Sequence, residues 1–585
     1  MALRMCSSAS SQLMAESRHR DAGEPMSIGL RHTWHVIVFA LMGFCVFFCA
    51  PDSFAQVLHV GTGPALSGSR VISGTVVSAL SGQPLDTADM TLTDSKSGTQ
   101  IAETATDAEG RFEFDHVADG KYSLQASHRG YLAAAFDEHD GFSSAIVTGD
   151  GLVTTGLRFT IQPLAVIYGT VAEDSGDPVQ QARVSLYRVD ENSGAGKIVH
   201  ASTTISDDLG DYEFAHLAQG TYYIAVTAHP WYASSLRPGT PGSESGQSSP
   251  LDVAYPTTFY ADVTDSDSAT PIPVKAGDHI PVNFSLHPVP AVHMVIQLPG
   301  GIREQFRMMP QIRQEVFGEM QASMMQGMRI STNSSDGSST TELSGIAPGH
   351  YEVDLRSPNS EGSRSFSLDA TSGRQALDAA AGEPGVEVAG KVTMTGSGEL
   401  PPRLMISLAN SQGGQESNTR VERNGTFKLQ GISPGTYEVH ASAGNATIAV
   451  RQISATGATV DGHTLKISGA AVSLTATLVE GSATVNGFAK NNGKAASGAM
   501  VVLVPADPGA NRELFRRDQS NLDGSFTMAG VVPGNYTLVA IADGWKLNWA
   551  QPEVIGHYLA QGVAVMVSAQ SRDIQVKDAV PVQAK

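Results

Sequence analysis

Residues 523–538 read DGSFTMAGVVPGNYTL, and this pattern decides the fold because it returns along the chain at one fixed spacing. In each clear copy a tyrosine follows a leading glycine by twelve positions, and these copies are GRFEFDHVADGKY (110–122), GDYEFAHLAQGTY (210–222), GTFKLQGISPGTY (425–437) and GSFTMAGVVPGNY (524–536). A degraded copy ends in IAPGHY at Tyr351, with Ser339 and Thr341 in place of the glycine and an aromatic residue. Copies 86 to 129 residues apart predict a tandem array of modules of roughly 100 residues.

Apolar and polar residues alternate within each copy, which is typical of a strand with one buried face. Phe112 and Phe114 share one face of the first predicted strand, and Tyr122 and Leu124 share one face of the next. We therefore expect a corner resembling a β-hairpin between the two strands. The Pro-Gly pairs at 348–349, 434–435 and 533–534 favour a turn in which the glycine has positive φ.

An opening strand with an early glycine precedes each clear copy: SGTVVS at 73, YGTVAE at 168, AGKVTM at 389 and NGFAKN at 486. Short strands, regular turns and no sustained helical period predict an all-β fold. The prediction is a tandem array of about five Ig-like or prealbumin-like β-sandwich modules after an N-terminal signal segment. The predicted ranges are the signal region 1–55, a linker 56–66, module 1 at 67–163, module 2 with its connector at 164–290, a divergent module 3 with a Met-rich insertion at 291–380, module 4 at 381–478 and module 5 at 479–585.

An opening GxV strand followed by a turn and G-x-F-x-F-x-x-[VIL]-x-x-G-x-Y resembles the carboxypeptidase regulatory-like domain. This family has a transthyretin-like, carbohydrate-binding-like sandwich, and its pattern is related to the repeat modules of bacterial surface adhesins. The resemblance covers nearly all of 67–585 and is weakest in module 3. It implies a bacterial, exported protein and makes carbohydrate the expected class of ligand.

The N-terminal region predicts export. Residues 36–50, VIVFALMGFCVFFCA, form an uncharged apolar run, and Ser53 and Ala55 are the small residues that a signal peptidase requires before Gln56. The run is short for a membrane span, so we predict cleavage rather than an anchor, with Met26 as a possible true start. Cys6, Cys45 and Cys49 all precede the predicted cut, so the mature chain would have no disulfide or cysteine-bound metal.

Charge and motifs restrict the function further. A formal net charge of −20 argues against nucleic acid and anionic membranes as partners. The His-x-x-Glu pair of a zinc carboxypeptidase is absent, and the repeats leave no block large enough for a catalytic domain. We predict no enzyme activity and no cofactor.

Three local features allow other chemistry, although the sequence favours a structural role for each. Thioethers bind cuprous ion, so a copper site in the Met-rich insertion is conceivable, with packing into an apolar face as the stronger interpretation. Its weak candidate ligands are Met320, Met324, Met325 and Met328. Asp262, Asp265 and Asp267 could bind calcium but lack EF-hand spacing. Lys391 and Glu438 are the one pair that we considered for a lysine–acid cross-link.

An aromatic residue follows the repeat tyrosine by nine positions in three modules: Tyr131, Trp231 and Trp545. These positions fall where the last corner strand runs into a loop. An exposed ring there could stack on a sugar, whereas a buried ring would close the end of the sandwich.

The sequence as a whole predicts a non-catalytic, exported protein with a binding or scaffolding role at the cell envelope. The alternatives are a structural spacer or adhesin stalk without a specific ligand, and an accessory part of an envelope enzyme or transport complex. Expected partners are polysaccharide or other envelope proteins, and the expected location is the periplasm, the outer surface or the medium. After signal cleavage no membrane span is expected.

Overall fold

The computed structural model describes residues 67–190, 197–233, 249–298, 310–332, 339–355, 364–371, 373–395, 399–411, 416–444, 446–509 and 511–585. The predicted signal segment, its cleavage site and the linker 56–66 lie outside the described residues. We keep the names module 1 to module 5 for the ranges given above.

Modules 1 and 2 are built from short strands. Module 1 contains Arg70–Ser78 (β1), Asp89–Asp94 (β2), Gln100–Ala105 (β3), Arg111–Val117 (β4), Gly120–Ser127 (β5), Ala134–Ala135 (β6), Ile146–Thr148 (β7) and Leu157–Ile161 (β8). Module 2 contains Ala165–Glu173 (β9), Arg183–Asp190 (β10), Lys197–Ile205 (β11), Asp211–Leu217 (β12), Gly220–Thr227 (β13), Val253–Ala254 (β14), Thr258–Phe259 (β15), Ile272–Val274 (β16), His279–Pro281 (β17), Phe284–Leu286 (β18) and Val289–Pro290 (β19).

Modules 3 and 4 follow the same plan. Module 3 contains Val292–Leu298 (β20), Gln311–Val316 (β21), Glu319–Ala322 (β22), Gly327–Thr332 (β23), Ser339–Ile346 (β24), Gly349–Leu355 (β25), Arg364–Ala370 (β26), Arg374–Asp378 (β27) and Glu383–Pro384 (β28). Module 4 contains Val386–Met394 (β29), Met405–Asn410 (β30), Ser417–Arg420 (β31), Thr426–Ile432 (β32), Gly435–Ser442 (β33), Ile448–Thr456 (β34), Ala458–Asp461 (β35), Thr464–Ile467 (β36) and Val472–Glu480 (β37).

Module 5 adds short helical segments after its second corner strand. Its strands are Ala483–Asn491 (β38), Lys494–Ala495 (β39), Met500–Pro505 (β40), Arg516–Gln519 (β41), Ser525–Val531 (β42), Gly534–Ile541 (β43), Val563–Val567 (β44), Asp573–Gln575 (β45) and Val580–Gln583 (β46). An α-helix, Pro552–Gly556 (α1), lies between β43 and β44, and 3-10 turns occur at Ser266–Ser268, Ala379–Ala381, Arg512–Leu514, Gly544–Lys546 and Leu559–Gln561. None of the helices in the described part of the chain has the length and apolar character of a membrane span.

Modules 1 to 4 share one two-sheet topology, whereas in module 5 β46 pairs with both β38 and β43 and joins the strands into one nine-stranded sheet. The predicted all-β multi-module fold is confirmed. In module 1 one sheet has the order β4-β1-β8, and the other has β3-β2-β5 with β6 and β7 paired to β5. Module 4 repeats this as β32-β29-β37-β34 facing β31-β30-β33-β36-β35. The two inner faces enclose one cluster of buried apolar side chains in each module.

The repeated phrase is a crossing between sheets, so the hairpin-like corner that the sequence suggested is wrong. β4 pairs with β1 and β5 pairs with β2, and these pairs belong to opposite sheets. The alternating residues explain this arrangement. Phe112 and Phe114 enter the core from one sheet while Tyr122 and Leu124 enter it from the other, so the four side chains meet face to face.

The repeat tyrosine fixes this crossing. In all five modules its hydroxyl donates a hydrogen bond to the backbone carbonyl four residues earlier, which is the arrangement of a tyrosine corner. The bonds are Tyr122 to Ala118 (3.1 Å), Tyr222 to Ala218 (2.9 Å), Tyr351 to Ala347 (2.8 Å), Tyr437 to Ser433 (2.7 Å) and Tyr536 to Val532 (2.9 Å). Module 3 therefore keeps the corner although its sequence is degraded.

The glycine before the tyrosine is conserved among the repeats for a reason other than the predicted turn. The glycines with positive φ do not include Gly349, Gly435 or Gly534, so the positive φ expected at the Pro-Gly pairs is wrong. A Cβ atom on Gly120 would lie 3.0 Å from the hydroxyl oxygen of Tyr122, and one on Gly435 would lie 3.4 Å from the ring of Tyr437. The tyrosine ring lies over this glycine, so a side chain at the position would contact or crowd the ring.

A β-bulge with a left-handed residue interrupts the first corner strand of every module. The register against the opening strand shifts at the same place in each one. The left-handed residues are His116 (φ 58°), His216 (φ 61°), Gly345 (φ 68°), Gly431 (φ 70°) and Gly530 (φ 67°). The two histidines thus have a strained backbone conformation and exposed side chains. Their shared repeat position reflects the bulge and is structural.

Candidate functional site

The three aromatic positions that the sequence singled out lie in three different environments. Trp231 is 87% exposed, Tyr131 is half-buried, and Trp545 is only 4% exposed. Their equal spacing from the repeat tyrosine therefore does not give them equal access to a ligand. Neighbouring modules and loops decide the burial of each ring.

Trp231 follows β13 and contacts its neighbour Tyr232. Its ring meets the edge of Tyr232, with centroids 5.7 Å apart and an interplanar angle of 88°. The hydroxyls of Tyr232 and Tyr255 both donate to Glu173 Oε1, the latter over 2.8 Å. Burial, reinforced by the hydrogen bond to Glu173, raises the pKa of Tyr232 to about 12, so this hydroxyl stays protonated at neutral pH. The indole is thus displayed to solvent above a network that is already satisfied.

Tyr131 closes the end of module 1. Its ring meets the ring of His128 edge-on at 5.2 Å and packs against the hydrophobic cluster of the module. The residue also forms an isolated bridge with Pro163. One side of the ring is therefore used for packing.

Trp545 is covered by module 1, so its ring faces are closed to a sugar in this structure. A 3-10 turn, Gly544–Lys546, turns the indole inward, and its Nε1 donates to the Gly498 carbonyl over 3.1 Å. His139 and Phe142 of module 1 stack on the ring with centroid distances of 5.4 and 5.7 Å. Between the end of β13 and residue 233, the described residues of module 2 form no 3-10 turn, and Trp231 lies outside.

The methionines of the insertion divide between several surroundings. Met325 and Met328 pack against the core of module 3. Met324 lines a small cavity of about 20 Å³ together with Tyr255 and Tyr351, and Met320 lies on β22 opposite Glu315. Met308 and Met309 of the same insertion lie outside the described residues. In the described part of the chain no group of three or more His, Cys, Asp or Glu side chains is placed to hold a metal ion.

The aspartates of the module 2 connector act within the fold. Asp265 caps the 3-10 turn Ser266–Ser268 by accepting from the Asp267 backbone N–H. Asp262 Oδ1 accepts from the Ser285 backbone N–H over 3.0 Å. These carboxylates are oriented by backbone donors and do not converge on one point.

Lys391 and Glu438 are both exposed. A lysine–acid cross-link forms inside a sandwich, where burial brings the amine and the acid to their neutral forms. The structure does not provide that burial for this pair.

A shallow groove on module 1 escaped the sequence reasoning. It has a volume of about 240 Å³ and is lined by Asp89, Thr91, Gln125, Glu138 and several small residues. Its lining contains no aromatic side chain, so it offers polar contacts without a stacking surface. No motif marks it, because its residues come from strands far apart in the sequence.

Comparison with protein families gives a match to the carboxypeptidase regulatory-like domain at residues 71–154, 166–287 and 387–468. These segments fall in modules 1, 2 and 4. A comparison with curated proteins found no match.

Solved structures with a detectable likeness include the TIE protein and two pilins. The TIE protein of Bacillus anthracis is 11% identical, with 70% of this chain and 74% of that chain covered and a TM-score of 0.17. The minor pilin GBS52 of Streptococcus agalactiae is 15% identical (37% and 97% covered, TM-score 0.18). The major pilin subunit BcpA of Bacillus cereus is 9% identical (70% and 98% covered, TM-score 0.14).

Proposed function

Because this chain carries carboxypeptidase regulatory-like domains in tandem, we propose that it is a non-catalytic scaffold of the cell envelope that binds carbohydrate through module 2. The single observation that carries the ligand proposal is the exposed indole of Trp231, which is 87% exposed where Trp545 at the equivalent position is 4% exposed. A flat apolar ring with polar groups beside it suits the face of a sugar.

The surroundings of Trp231 support this assignment. The ring of Tyr232 packs against the indole at 88°, and the Tyr232 hydroxyl is hydrogen-bonded to Glu173. A preorganised ring loses little conformational freedom on binding, so more of the stacking energy appears as affinity. Polysaccharide is the proposed ligand, and other envelope proteins are the proposed partners of the remaining module surfaces.

The test measures how strongly the full chain and its variants are retained on insoluble polysaccharides and on a glycan array. Trp231→Ala should weaken retention about tenfold, the equivalent of one aromatic stacking contact. Phe488→Ala is the matched control, since Phe488 is an exposed aromatic residue (46%) on another module. Both variants should melt close to the wild type because neither removes core packing. The ligand proposal would be refuted if wild type and Trp231→Ala were retained equally, or if no polysaccharide retained the wild type. Either result would favour the structural spacer.

The envelope location rests on the apolar run 36–50 and the small residues Ser53 and Ala55. Fractionation followed by N-terminal sequencing should find an exported chain that begins at Gln56. A chain that keeps residues 36–50 in the membrane would refute cleavage while leaving the sugar proposal open.

A further inference from the structure

Residues nearly four hundred positions apart in the sequence meet where module 1 contacts module 5. Ser144 Oγ donates to the Ser520 carbonyl over 3.0 Å, and Gln519 Nε2 donates to Ser144 Oγ over 2.9 Å. The Ala145 backbone N–H donates to Asn521 Oδ1 over 3.0 Å. Ser144 is 1% exposed, and Gln519 and Ser520 are fully buried. Buried polar groups of this kind need their partners, so the contact is specific.

A cation and a set of aromatic rings complete this contact. The Arg517 guanidinium carbon of module 5 lies 4.7 Å from the ring centroid of Trp549, also in module 5, and 4.9 Å from that of Phe142 in module 1. Its Nη1 forms an ion pair with Asp140 of module 1 over 3.2 Å. The Arg517 side chain is only 6% exposed. Without module 1 this buried charge would lose its carboxylate and one of its rings, which is costly for a desolvated cation.

The modules between these two are also in contact with their neighbours. Tyr187 of module 2 donates to Gln321 Oε1 of module 3 over 2.7 Å. The hydroxyls of Ser365 in module 3 and Ser433 in module 4 lie 2.6 Å apart. His463 of module 4 lies 3.1 Å from Glu513 of module 5. The Gly277 backbone N–H of module 2 donates to the Pro163 carbonyl of module 1 over 3.2 Å. The path from module 1 to module 5 is therefore continuous.

We infer that this chain closes on itself into a ring, with the surface of module 5 around Arg517 as the docking site for its own module 1. We call the contact of residues 137–145 with 517–521 and 545–549 the clasp. Linked modules meet at high effective concentration, so closure within one chain outcompetes docking of a second copy. The inference is independent of the sugar proposal, since Trp231 is no part of the clasp.

The test uses the Ser144 and Ser497 hydroxyls, which lie 3.3 Å apart across the clasp. The full chain, with Cys6, Cys45 and Cys49 changed to Ser, receives S144C and S497C together. We expect mild oxidation to give an intramolecular disulfide in a species of monomer mass, at a rate that does not depend on protein concentration. A matched control pairs S144C with S367C, whose native serine lies in module 3 away from the clasp, and should stay unlinked.

Two further variants establish that the clasp chemistry drives closure. Asp140→Lys places a cation against Arg517 and should slow cross-linking about tenfold or more and increase the hydrodynamic radius. Glu103→Lys makes the same charge change on an exposed strand of module 1. Its cross-linking rate and hydrodynamic radius should equal those of the variant with only S144C and S497C. Circular dichroism separates opening from unfolding, because an opened array keeps its strands. The inference would be overturned if the variant with only S144C and S497C formed no intramolecular disulfide, or if it formed disulfide-linked dimers whose amount increased with protein concentration.

Discussion

Tyr437→Phe tests the tyrosine corner, because it removes one hydroxyl and leaves the ring in place. Tyr437 is 5% exposed and donates to the Ser433 carbonyl over 2.7 Å. Removal of this donor leaves a partly buried carbonyl without its tyrosine partner, and we expect a loss of about 0.5–1.5 kcal/mol in the free energy of unfolding of module 4. Tyr437→Ala also removes the ring from the core cluster and should cost about 3–5 kcal/mol.

The measurement must resolve single modules, since a chain of several cores does not unfold in one step. Hydrogen exchange followed by mass spectrometry gives local opening free energies along the chain. Protection should fall across β29–β37 and at the adjoining edge of module 5, because Ala449 of β34 packs in the hydrophobic cluster of module 5. Protection in modules 1 and 2 should stay unchanged.

Tyr168→Phe is the matched control, since Tyr168 is 43% exposed on the opening strand of module 2. It should change local stability by less than about 0.5 kcal/mol. The reasoning fails if Tyr437→Phe matches this control. It also fails if Tyr437→Ala lowers protection equally in all five modules, because the cores would then unfold as one.

Three further predictions concern stability. The hydrogen bond to Glu513 raises the pKa of His463 above its ordinary value of 6.5. The stability that protonated His463 adds to the junction of modules 4 and 5 is therefore fully present below about pH 6.5, and it is lost as the pH rises through the raised pKa. Glu513→Gln should flatten this dependence, as measured by exchange at pH 6 and pH 8.5. His216→Gly should stabilise module 2, since glycine adopts φ 61° without the strain of histidine. Gly431→Ala at the equivalent bulge (φ 70°) should destabilise module 4 by about 1–2 kcal/mol. Urea melts in which His216→Gly is destabilising or Gly431→Ala is stabilising would contradict the bulge argument. Trp545→Ala should lower the melting temperature and weaken the clasp, in contrast to Trp231→Ala, and differential scanning calorimetry checks both.

The sequence was sufficient for the strands but not for their partners. Alternation at Phe112 and Phe114 identifies an inward face, and the structure buries both rings. Alternation carries no information about which sheet a strand joins, so the crossing was mistaken for a hairpin. Likewise the Pro-Gly pair at 434–435 indicates a turn glycine, because the tyrosine ring that lies over Gly435 becomes visible only in three dimensions.

The aromatic positions show a second limit. Trp231 and Trp545 share a repeat position, yet one is exposed and the other is buried. The difference comes from His139 and Phe142, about four hundred residues before Trp545 in the sequence. Periodicity describes what a module does within itself, whereas contacts between distant modules depend on the path of the whole chain.

The parallel pairing inside each module has a mechanical consequence. Residues Gly74–Ser78 of β1 lie beside Leu157–Ile161 of β8, and Val388–Met394 of β29 lie beside Val472–Leu478 of β37, in both cases with the strands running the same way. Tension between the two ends of such a module pulls the paired strands in opposite directions along their axes. All the hydrogen bonds between them then carry the load at once in shear, instead of parting one after another. Stretched between two attachment points, the array would release its clasp first and leave the individual sandwiches intact.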